Sequence, residues 1–228
     1  MAATDLYIAL TDGKKWSGTV GQFKVPFSLE ALFGSSTLEL ADRSIVVGDF
    51  APNRDIGAMA EWRPHRVLAV QAGVFNGEGP NHAANPDKKM LYVGRVVLAP
   101  ATGVELGAAA AAFPDSTWLD ADVFVHRGAW TVRSEYLHRN AFAPRDRREG
   151  WYALAAYRLP HEPVQFVGRA EQFDSTAAPS NRTTGYTAGA QYFLRGDDLK
   201  LQASYGVFVE QGPAVSNNRV IVQMQVRW

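Results

Sequence analysis

The chain has no cysteine among its 228 residues. This absence excludes disulfide bonds, thiolate nucleophiles and cysteine-based zinc sites, and it suits a compartment where stray thiols are oxidised. Long hydrophobic runs are also absent, because no stretch approaches the roughly eighteen apolar residues that a membrane-spanning helix needs. The length of apolar runs does not reveal membrane-spanning strands, since their apolar residues alternate with polar ones. The sequence begins without the charged head and apolar core of a secretory signal, so we expect an exported protein to be a processed or truncated form.

What the sequence does contain is alternation of apolar with polar or small residues, in segments of about ten residues separated by turn signals. The last segment shows it best. One face carries Val220, Val222, Met224, Val226 and Trp228, and the other carries Ile221, Gln223, Gln225 and Arg227. A helix, with its period of about 3.6 residues, would mix the glutamines into the apolar stripe, so the pattern predicts a strand.

The same pattern over the whole chain predicts an all-β protein of about thirteen antiparallel strands. They are expected near residues 4–11, 15–25, 55–63, 66–76, 89–99, 104–113, 117–127, 129–140, 150–159, 163–173, 184–194, 198–209 and 219–228. Tight turns are expected at residues 63–66, 101–103, 127–128 and 160–163, and long loops at 77–88, 140–149, 174–183 and 210–218. Short turns at one end and long loops at the other are typical of a transmembrane β-barrel, in which the long loops are extracellular.

A soluble antiparallel sandwich or barrel also alternates and is the structural alternative. The aromatic residues favour the membrane, because they fall on the apolar face and often near strand ends. In membrane barrels, amphipathic aromatic rings form a girdle at the membrane interface, close to the strand ends. The predicted girdle residues are Trp62, Trp151, Tyr157, Tyr192, Tyr205 and Trp228.

The five alanines at residues 108–112 fit this pattern least well. Alanine favours a helix by propensity, but the preceding residues 104–107 and the following Pro114 suit a strand of small side chains. We expect a strand here, whose smooth patch of small residues would suit a contact between subunits.

Four stretches of the sequence resemble the phosphate-selective porin O and P family. They are Gly21-Gln-Phe-Lys-Val-Pro-Phe27, Asp42-Arg-Ser44, Arg54-Asp-Ile-Gly57 and Gly73-Val-Phe-Asn-Gly77 with Gly79, and Gly94-Arg95 continues the pattern. Their order and spacing both match the family. In addition, the closing Trp228 resembles the assembly signal of outer-membrane barrels in general.

The resemblance implies a sixteen-stranded homotrimeric barrel of the porin type in the bacterial outer membrane, in contact with lipid and inserted by the barrel-assembly machinery. With about thirteen strands, we expect residues 1–228 to form one partial β-barrel domain that lacks its N-terminal strands, or else a smaller closed barrel. On that count residues 26–54 connect the fifth and sixth strands, where porins fold a loop into the pore. A structureless connection of this length is usually functional, so we predict an extracellular loop that constricts the pore.

The resemblance further implies that lines of arginine and lysine conduct small anions such as phosphate through successive weak sites. Arginine suits phosphate because its planar fork of donors matches the oxygens. The predicted selectivity residues are Lys24, Arg43, Arg54, Arg95, Arg133, Arg158 and Arg169. Alternatively, these arginines pair with nearby acids and only hold the wall. Asp120 and Asp122, which the alternation places on the same inner face, argue against strict phosphate selectivity.

Other classes of function stay open at this point. An outer-membrane enzyme would need a partnered histidine, and the local candidates are His126 near Asp122 and His138 near Ser134, neither within a catalytic motif. A porin for other solutes, such as sugars or organic acids, and a non-conducting structural barrel are further alternatives. We expect a channel and not an enzyme, with no cofactor, no metal site and no nucleic-acid partner.

Overall fold

The computed structural model of the chain describes residues 4–141, 147–175, 182–211 and 217–227. Thirteen antiparallel strands form one sheet, in which spatial neighbours are also neighbours in sequence. The strands are β1 (Leu6–Thr11), β2 (Trp16–Lys24), β3 (Arg54–His65), β4 (Leu68–Phe75), β5 (Leu91–Ala101), β6 (Val104–Phe113), β7 (Ser116–Arg127), β8 (Trp130–Ala141), β9 (Arg147–Arg158), β10 (Val164–Ser175), β11 (Arg182–Arg195), β12 (Leu199–Glu210) and β13 (Arg219–Val226). The predicted all-β antiparallel fold is confirmed.

Successive residues of each strand face opposite sides of the sheet, as the period of two requires. In β9, Tyr152 and Leu154 are buried, whereas Trp151 and Ala153 are exposed. Large apolar side chains are exposed along the outer face, among them Leu106, Leu119, Val132, Phe166 and Leu201. So much uncovered apolar surface does not suit a protein surrounded by water, and it suits an outer face in contact with lipid.

The connections differ between the two ends of the sheet. At the end that we call the short-turn end, Gly103 and Gly128 occupy tight turns with φ of 73° and 60°, a conformation that favours glycine. The opposite, long-loop end carries the connection of residues 76–90. It also carries one tight turn that the expected alternation of short and long did not include, at Pro114 and Asp115 between β6 and β7. Lys89 of the neighbouring loop pairs with Asp115 at 3.0 Å.

Residues 25–53, which we call the inner segment, connect β2 to β3 and lie against the inner face of the sheet. The sequence predicted no secondary structure here, but the segment contains α1 (Leu29–Leu32), a 3-10 helix (Ser35–Thr37) and α2 (Ile45–Phe50). Helices this short are not stable in isolation. Their formation therefore depends on contacts with the strands around them.

The hydrophobic core lies between the inner segment and the sheet. The rings of Phe27 and Trp118 meet edge to face at 6.0 Å, and those of Phe50 and Phe173 at 5.7 Å. Val46 is fully buried in the same cluster. The segment accepts hydrogen bonds both from Lys24 at the end of β2 and from Gln225 of β13, so the sheet curves around it.

The alanine run belongs to β6, as predicted, because pairing with β5 and β7 outweighs its helix propensity. Ala109 and Ala111 are buried on the inner face, and Ala108, Ala110 and Ala112 are exposed on the outer face. Within the described residues no helix is long and apolar enough to cross a membrane.

Gly21 provides a test of the β1–β2 pairing. It has φ of 133°, and a Cβ at this position would lie 2.6 Å from Tyr7 Cα in β1. We expect Gly21→Ala to destabilise the protein by about 1–3 kcal/mol. Gly18→Ala in the same strand is the control, because the nearest atom to its new Cβ would be 3.9 Å away. Thermal unfolding followed by circular dichroism measures both, and equal transition temperatures would contradict the prediction.

Candidate functional site

The inner segment has one side against the strands and one side away from them. Leu38, Leu40, Val46 and Phe50 are buried on the first side. Other residues of the segment are exposed, namely Gly34, Ser35, Thr37, Gly48, Asp49 and Asn53; of these, Asp49 pairs with Arg148 of β9 at 2.9 Å. The polar groups that hold the segment, and those that remain accessible, together define the candidate site.

The N-terminus of α1 is held by two carboxylates of the sheet. Glu135 of β8 accepts hydrogen bonds from the backbone N–H of Leu29 at 2.5 Å and of Glu30 at 3.1 Å. Asp120 of β7 accepts one from Ser28 N–H at 3.2 Å. The first N–H groups of a helix have no partner within the helix, so the wall supplies the acceptors that this short helix lacks.

The N-terminus of α2 is held in the same way. Glu171 of β10 accepts a hydrogen bond from Ile45 N–H at 2.8 Å, and the Ser44 side chain caps Val46 N–H at 3.2 Å. Glu30 of α1 accepts a hydrogen bond from Ser44 N–H at 2.8 Å. A carboxylate therefore lies at the start of each helix, which is where the helix dipole favours negative charge.

Three of the predicted selectivity residues are buried in ion pairs around these carboxylates. Arg95 pairs with Asp120 at 3.0 Å and with Asp122 at 2.6 Å. Arg133, which is fully buried, pairs with Glu39 of the inner segment and lies 3.9 Å from Glu30.

Arg169 is the third, and it pairs with Glu171 at 3.1 Å and with Asp42 of the inner segment at 3.7 Å. Its Nη1 also donates to the Asp42 carbonyl at 3.0 Å. The positive charges of Arg95, Arg133 and Arg169 are thus balanced by carboxylates and lie behind the inner segment.

Lys24 and Arg43 are held differently, because their partners are neutral carbonyl oxygens at the C-terminus of α1. Lys24 Nζ donates to the carbonyls of Ala31, Leu32 and Phe33 at 2.9, 3.0 and 2.7 Å. Arg43 donates to the carbonyls of Glu30 at 3.3 Å and Phe33 at 2.9 Å. These hydrogen bonds satisfy the last carbonyls of the helix. Since no carboxylate of the described residues pairs with Lys24 or Arg43, their charges are not balanced locally.

The two other predicted selectivity residues lie away from this helix. Arg54, at the start of β3, makes a two-pronged ion pair with Asp5 at 3.0 and 3.1 Å. Arg158, at the end of β9, places its guanidinium 3.7 Å from the centre of the Phe193 ring. No carboxylate of the described residues pairs with Arg158.

The sequence pattern predicted the cations, but it did not indicate the acidic side chains of the inner segment that reach them. These are Glu30, Glu39 and Asp42. A partial signal was present, since Ser28 and Ser44 each precede a helix and serine is a preferred N-cap. The sequence separation between segment and wall, 94 residues for Arg133 and Glu39, left no local pattern from which the pairs could be inferred.

The predicted girdle residues lie on the outer face. Trp62, Trp151, Tyr192 and Tyr205 are exposed, and the Tyr157 ring packs 4.7 Å from that of Trp130. Trp62, Tyr157 and Tyr192 lie near the short-turn end, and Trp151 and Tyr205 lie in the halves of their strands nearer the long loops. Trp228 falls outside the described residues.

Neither histidine of the enzyme alternative meets its expected partner. His126 Nδ1 lies 2.9 Å from Thr131 Oγ1, and Asp122 pairs with Arg95. His138 lies 3.4 Å from Glu149, and Ser134 Oγ donates to the Tyr152 carbonyl. In the part of the chain that the structure describes, no three histidine, aspartate or glutamate side chains are grouped as a metal site would require.

Comparison with protein families gives one match. The family model described as phosphate-selective porin O and P matches residues 1–140, which is more than half of the chain. A comparison with the curated proteins finds no sequence match.

Several solved structures share the fold. A loop L8 deletion mutant of OmpT, an outer membrane protein of Vibrio cholerae, is 11% identical with a TM-score of 0.63, over 92% of this chain and 74% of that one. Two proteins of Pseudomonas aeruginosa also match. OccD3 (OpdP) is 14% identical with a TM-score of 0.56, over 85% of this chain and 55% of that one. OpdK with vanillate is 13% identical with a TM-score of 0.58, over 91% and 65%. At these identities the likeness shows the fold alone, which is that of outer-membrane porin barrels.

The capping of α1 by the wall generates a testable prediction. Glu135→Ala removes the acceptor of two helix N–H groups and of the Tyr152 hydroxyl, which donates at 2.7 Å. Each buried donor left without a partner costs about 1–3 kcal/mol, so we expect amide hydrogen exchange at residues 28–33 to accelerate by about tenfold or more. Glu135→Gln, which keeps an acceptor oxygen, should change it less. Glu105→Ala, at an exposed acid of β6, is the control, and equal acceleration in that variant would contradict the assignment.

The inner segment should also respond to pH through Glu30. Burial raises the pKa of Glu30 from its ordinary value of 4.5 to about 7, although Arg133 and Arg169 act in the opposite direction. The docked segment therefore holds a proton that the undocked segment releases. The contribution of Glu30 to the free energy of docking is fully present below about pH 4.5, and it is lost as the pH rises through about 7.

Hydrogen exchange at residues 40–48, corrected for the intrinsic rate, should accordingly show weaker protection at pH 8 than at pH 5. Glu30→Gln should remove this difference, because the amide does not titrate. Glu162→Gln, at an exposed turn residue, should keep it. A pH dependence that persists in Glu30→Gln would refute the role of this group.

Proposed function

The chain belongs to the phosphate-selective porin O and P family and is an outer-membrane porin, and we propose that it conducts small anions such as phosphate by passive diffusion. Long loops of such barrels are extracellular. The inner segment leaves the sheet at the long-loop end, and we propose that it constricts the pore from the extracellular side.

The observation that supports anion conduction is the pair Lys24 and Arg43. Both cations belong to the inner segment or its root, and both are held by neutral carbonyls. Arg43 lines a cavity of about 380 Å³ together with Gly48 and Asn53, on the side of the segment that faces away from the strands. Asp42 lines the same cavity but pairs with Arg169 and Arg219, so the positive charge of Arg43 is left to attract a passing anion.

Arg95, Arg133 and Arg169 have a different part in this proposal. Each is buried and paired with carboxylates, so we assign them to the anchoring of the inner segment. The same pairing removes the objection that Asp120 and Asp122 raise against anion conduction. Both acids are buried beneath Arg95 and do not face the water of the pore.

The contacts of the outer face follow from the same proposal. We place the exposed rings of Trp62, Trp151, Tyr192 and Tyr205 at the membrane interfaces, where amphipathic rings are enriched. The homotrimer and the insertion by the barrel-assembly machinery stay predictions from the family resemblance. The small outer side chains Ala108, Ala110 and Ala112 support a close contact between subunits at β6.

Ion selectivity in planar bilayers tests the proposal. Under a potassium chloride gradient the reversal potential should indicate preference for chloride, and phosphate should carry current. Arg43→Gln should lower the ratio of anion to cation permeability by about two- to fivefold, since it removes one of two unbalanced charges at the constriction.

Arg127→Gln is the matched control, because Arg127 lies opposite Trp130 on the outer face and its removal should change the ratio less. Arg133→Gln should act through the inner segment and increase the scatter of single-channel conductance. Cation preference in the unmodified protein would refute anion conduction.

A further inference from the structure

A second cavity lies on the other side of the inner segment, toward the short-turn end. Its volume is about 420 Å³, and it is bounded by Thr37 and Glu39 of the segment and by the inner faces of strands β7 to β12. We call it the short-turn chamber and define it by Arg158, Gln165, Gln191, Phe193 and Lys200, with His126 exposed at its mouth. An inorganic phosphate ion is much smaller than this space.

The chamber contains one cation with an unbalanced charge. Lys200 Nζ donates to the Leu38 carbonyl at 3.0 Å and to Asp197 at 3.3 Å, so its charge is partly balanced. Arg158 instead stacks on Phe193 at 3.7 Å. Stacking occupies a face of the guanidinium and leaves the edge, with its N–H donors, for a planar oxyanion.

Beside Arg158 the wall presents neutral amides in direct cross-strand register. Gln165 pairs with Arg158 on one side and with Gln191 on the other. Gln191 Nε2 donates to the Glu39 carbonyl at 2.5 Å and to Gln165 Oε1 at 3.2 Å. Both of its donors are therefore used.

The acceptor of Gln191 is not used. Its Oε1 has no hydrogen-bond partner although the side chain is only 2% exposed. A buried carbonyl without a donor is costly, and a hydroxyl group supplies one O–H donor. The chamber thus offers donors for an oxyanion at Arg158 and an acceptor for a hydroxyl at Gln191.

We propose that the short-turn chamber binds small hydroxylated carboxylates, of the size of a sugar acid, on their way through the pore. The carboxylate meets the edge of Arg158, and a hydroxyl donates to Gln191 Oε1. The volume lies within the range of about 300–1,000 Å³ that is usual for small-molecule sites. The inference rests on the proposed anion pathway, and it adds a solute class to it.

Block of the chloride current through the full-length protein in planar bilayers tests the chamber. The probes are gluconate, hexanoate, inorganic phosphate and glucose, added to the same side in separate experiments. Gluconate carries both groups, hexanoate lacks hydroxyls, phosphate is small and glucose lacks the charge. We expect gluconate to reduce the current by half at the lowest concentration of the four.

Three variants locate the effect. Arg158→Gln should raise the half-blocking concentration of gluconate by about tenfold or more, since a hydrogen bond to a charged group is lost. Gln191→Met should raise the half-blocking concentration of gluconate and leave the half-blocking concentration of hexanoate unchanged. Arg127→Gln should change neither, because Arg127 lies opposite Trp130 in the β7–β8 register, on the outer face at a similar depth. If Arg158→Gln does not fold, Arg158→Lys, which keeps the charge and loses the planar fork, should still weaken the block.

The outcomes separate the chamber from the general function. Equal half-blocking concentrations of gluconate in the unmodified protein and in Arg158→Gln would overturn the chamber, as would block by phosphate or hexanoate that is as strong as that by gluconate. Absence of block by every probe would overturn it too, because the amides would then bind water alone. The reversal potential in chloride reports on anion conduction separately. Anion preference with unaltered gluconate block in the variants would refute the chamber only.

Discussion

The position of the inner segment depends on hydrogen bonds between backbone N–H groups at the start of two short helices and carboxylates of the surrounding wall. Glu135 accepts a hydrogen bond from the first N–H of α1, and Glu171 accepts one from the first N–H of α2. Neither helix is long enough to be stable on its own. Buried carboxylates would be unfavourable without partners. The arginines that were expected to attract solutes supply part of this balance, since Arg169 pairs with Glu171 and Asp42, and Arg133 pairs with Glu39.

This arrangement determines which positive charges on the inner face lack an acidic partner. The alternation of the strands predicts that the basic side chains line the lumen in a continuous path. In the structure most of them are balanced by acids, and the unbalanced positive charge is concentrated at Lys24, Arg43 and Arg158. Lys24 and Arg43 lie at the inner segment, and Arg158 lies beyond it. An anion would therefore meet two separate positively charged sites and not a continuous row of them.

The strands were predictable from the sequence because their signal is local. Each residue of β6 or β12 reports its face through the period of two, and both strands lie within one residue of their predicted bounds. The helices α1 and α2 were not predictable, since the acceptors for their N–H groups come from β8 and β10, far away in sequence. The same reason separates the predictions for Arg43 and Arg133. Both were predicted as selectivity residues, and only the contacts across the inner face distinguish a cation held by carbonyls from one held by carboxylates.

The partners of Arg43 are the carbonyls of Glu30 and Phe33, and a peptide carbonyl binds no proton in the physiological range. Glu30, which accepts a hydrogen bond from Ser44 N–H inside the segment, does titrate, because burial raises its pKa to about 7. Acidification therefore strengthens the docking of the inner segment and leaves the carbonyls that hold Arg43 unchanged. If the segment narrows an anion pore as proposed, acidic surroundings would make that segment more rigid without changing the partners of its exposed cation.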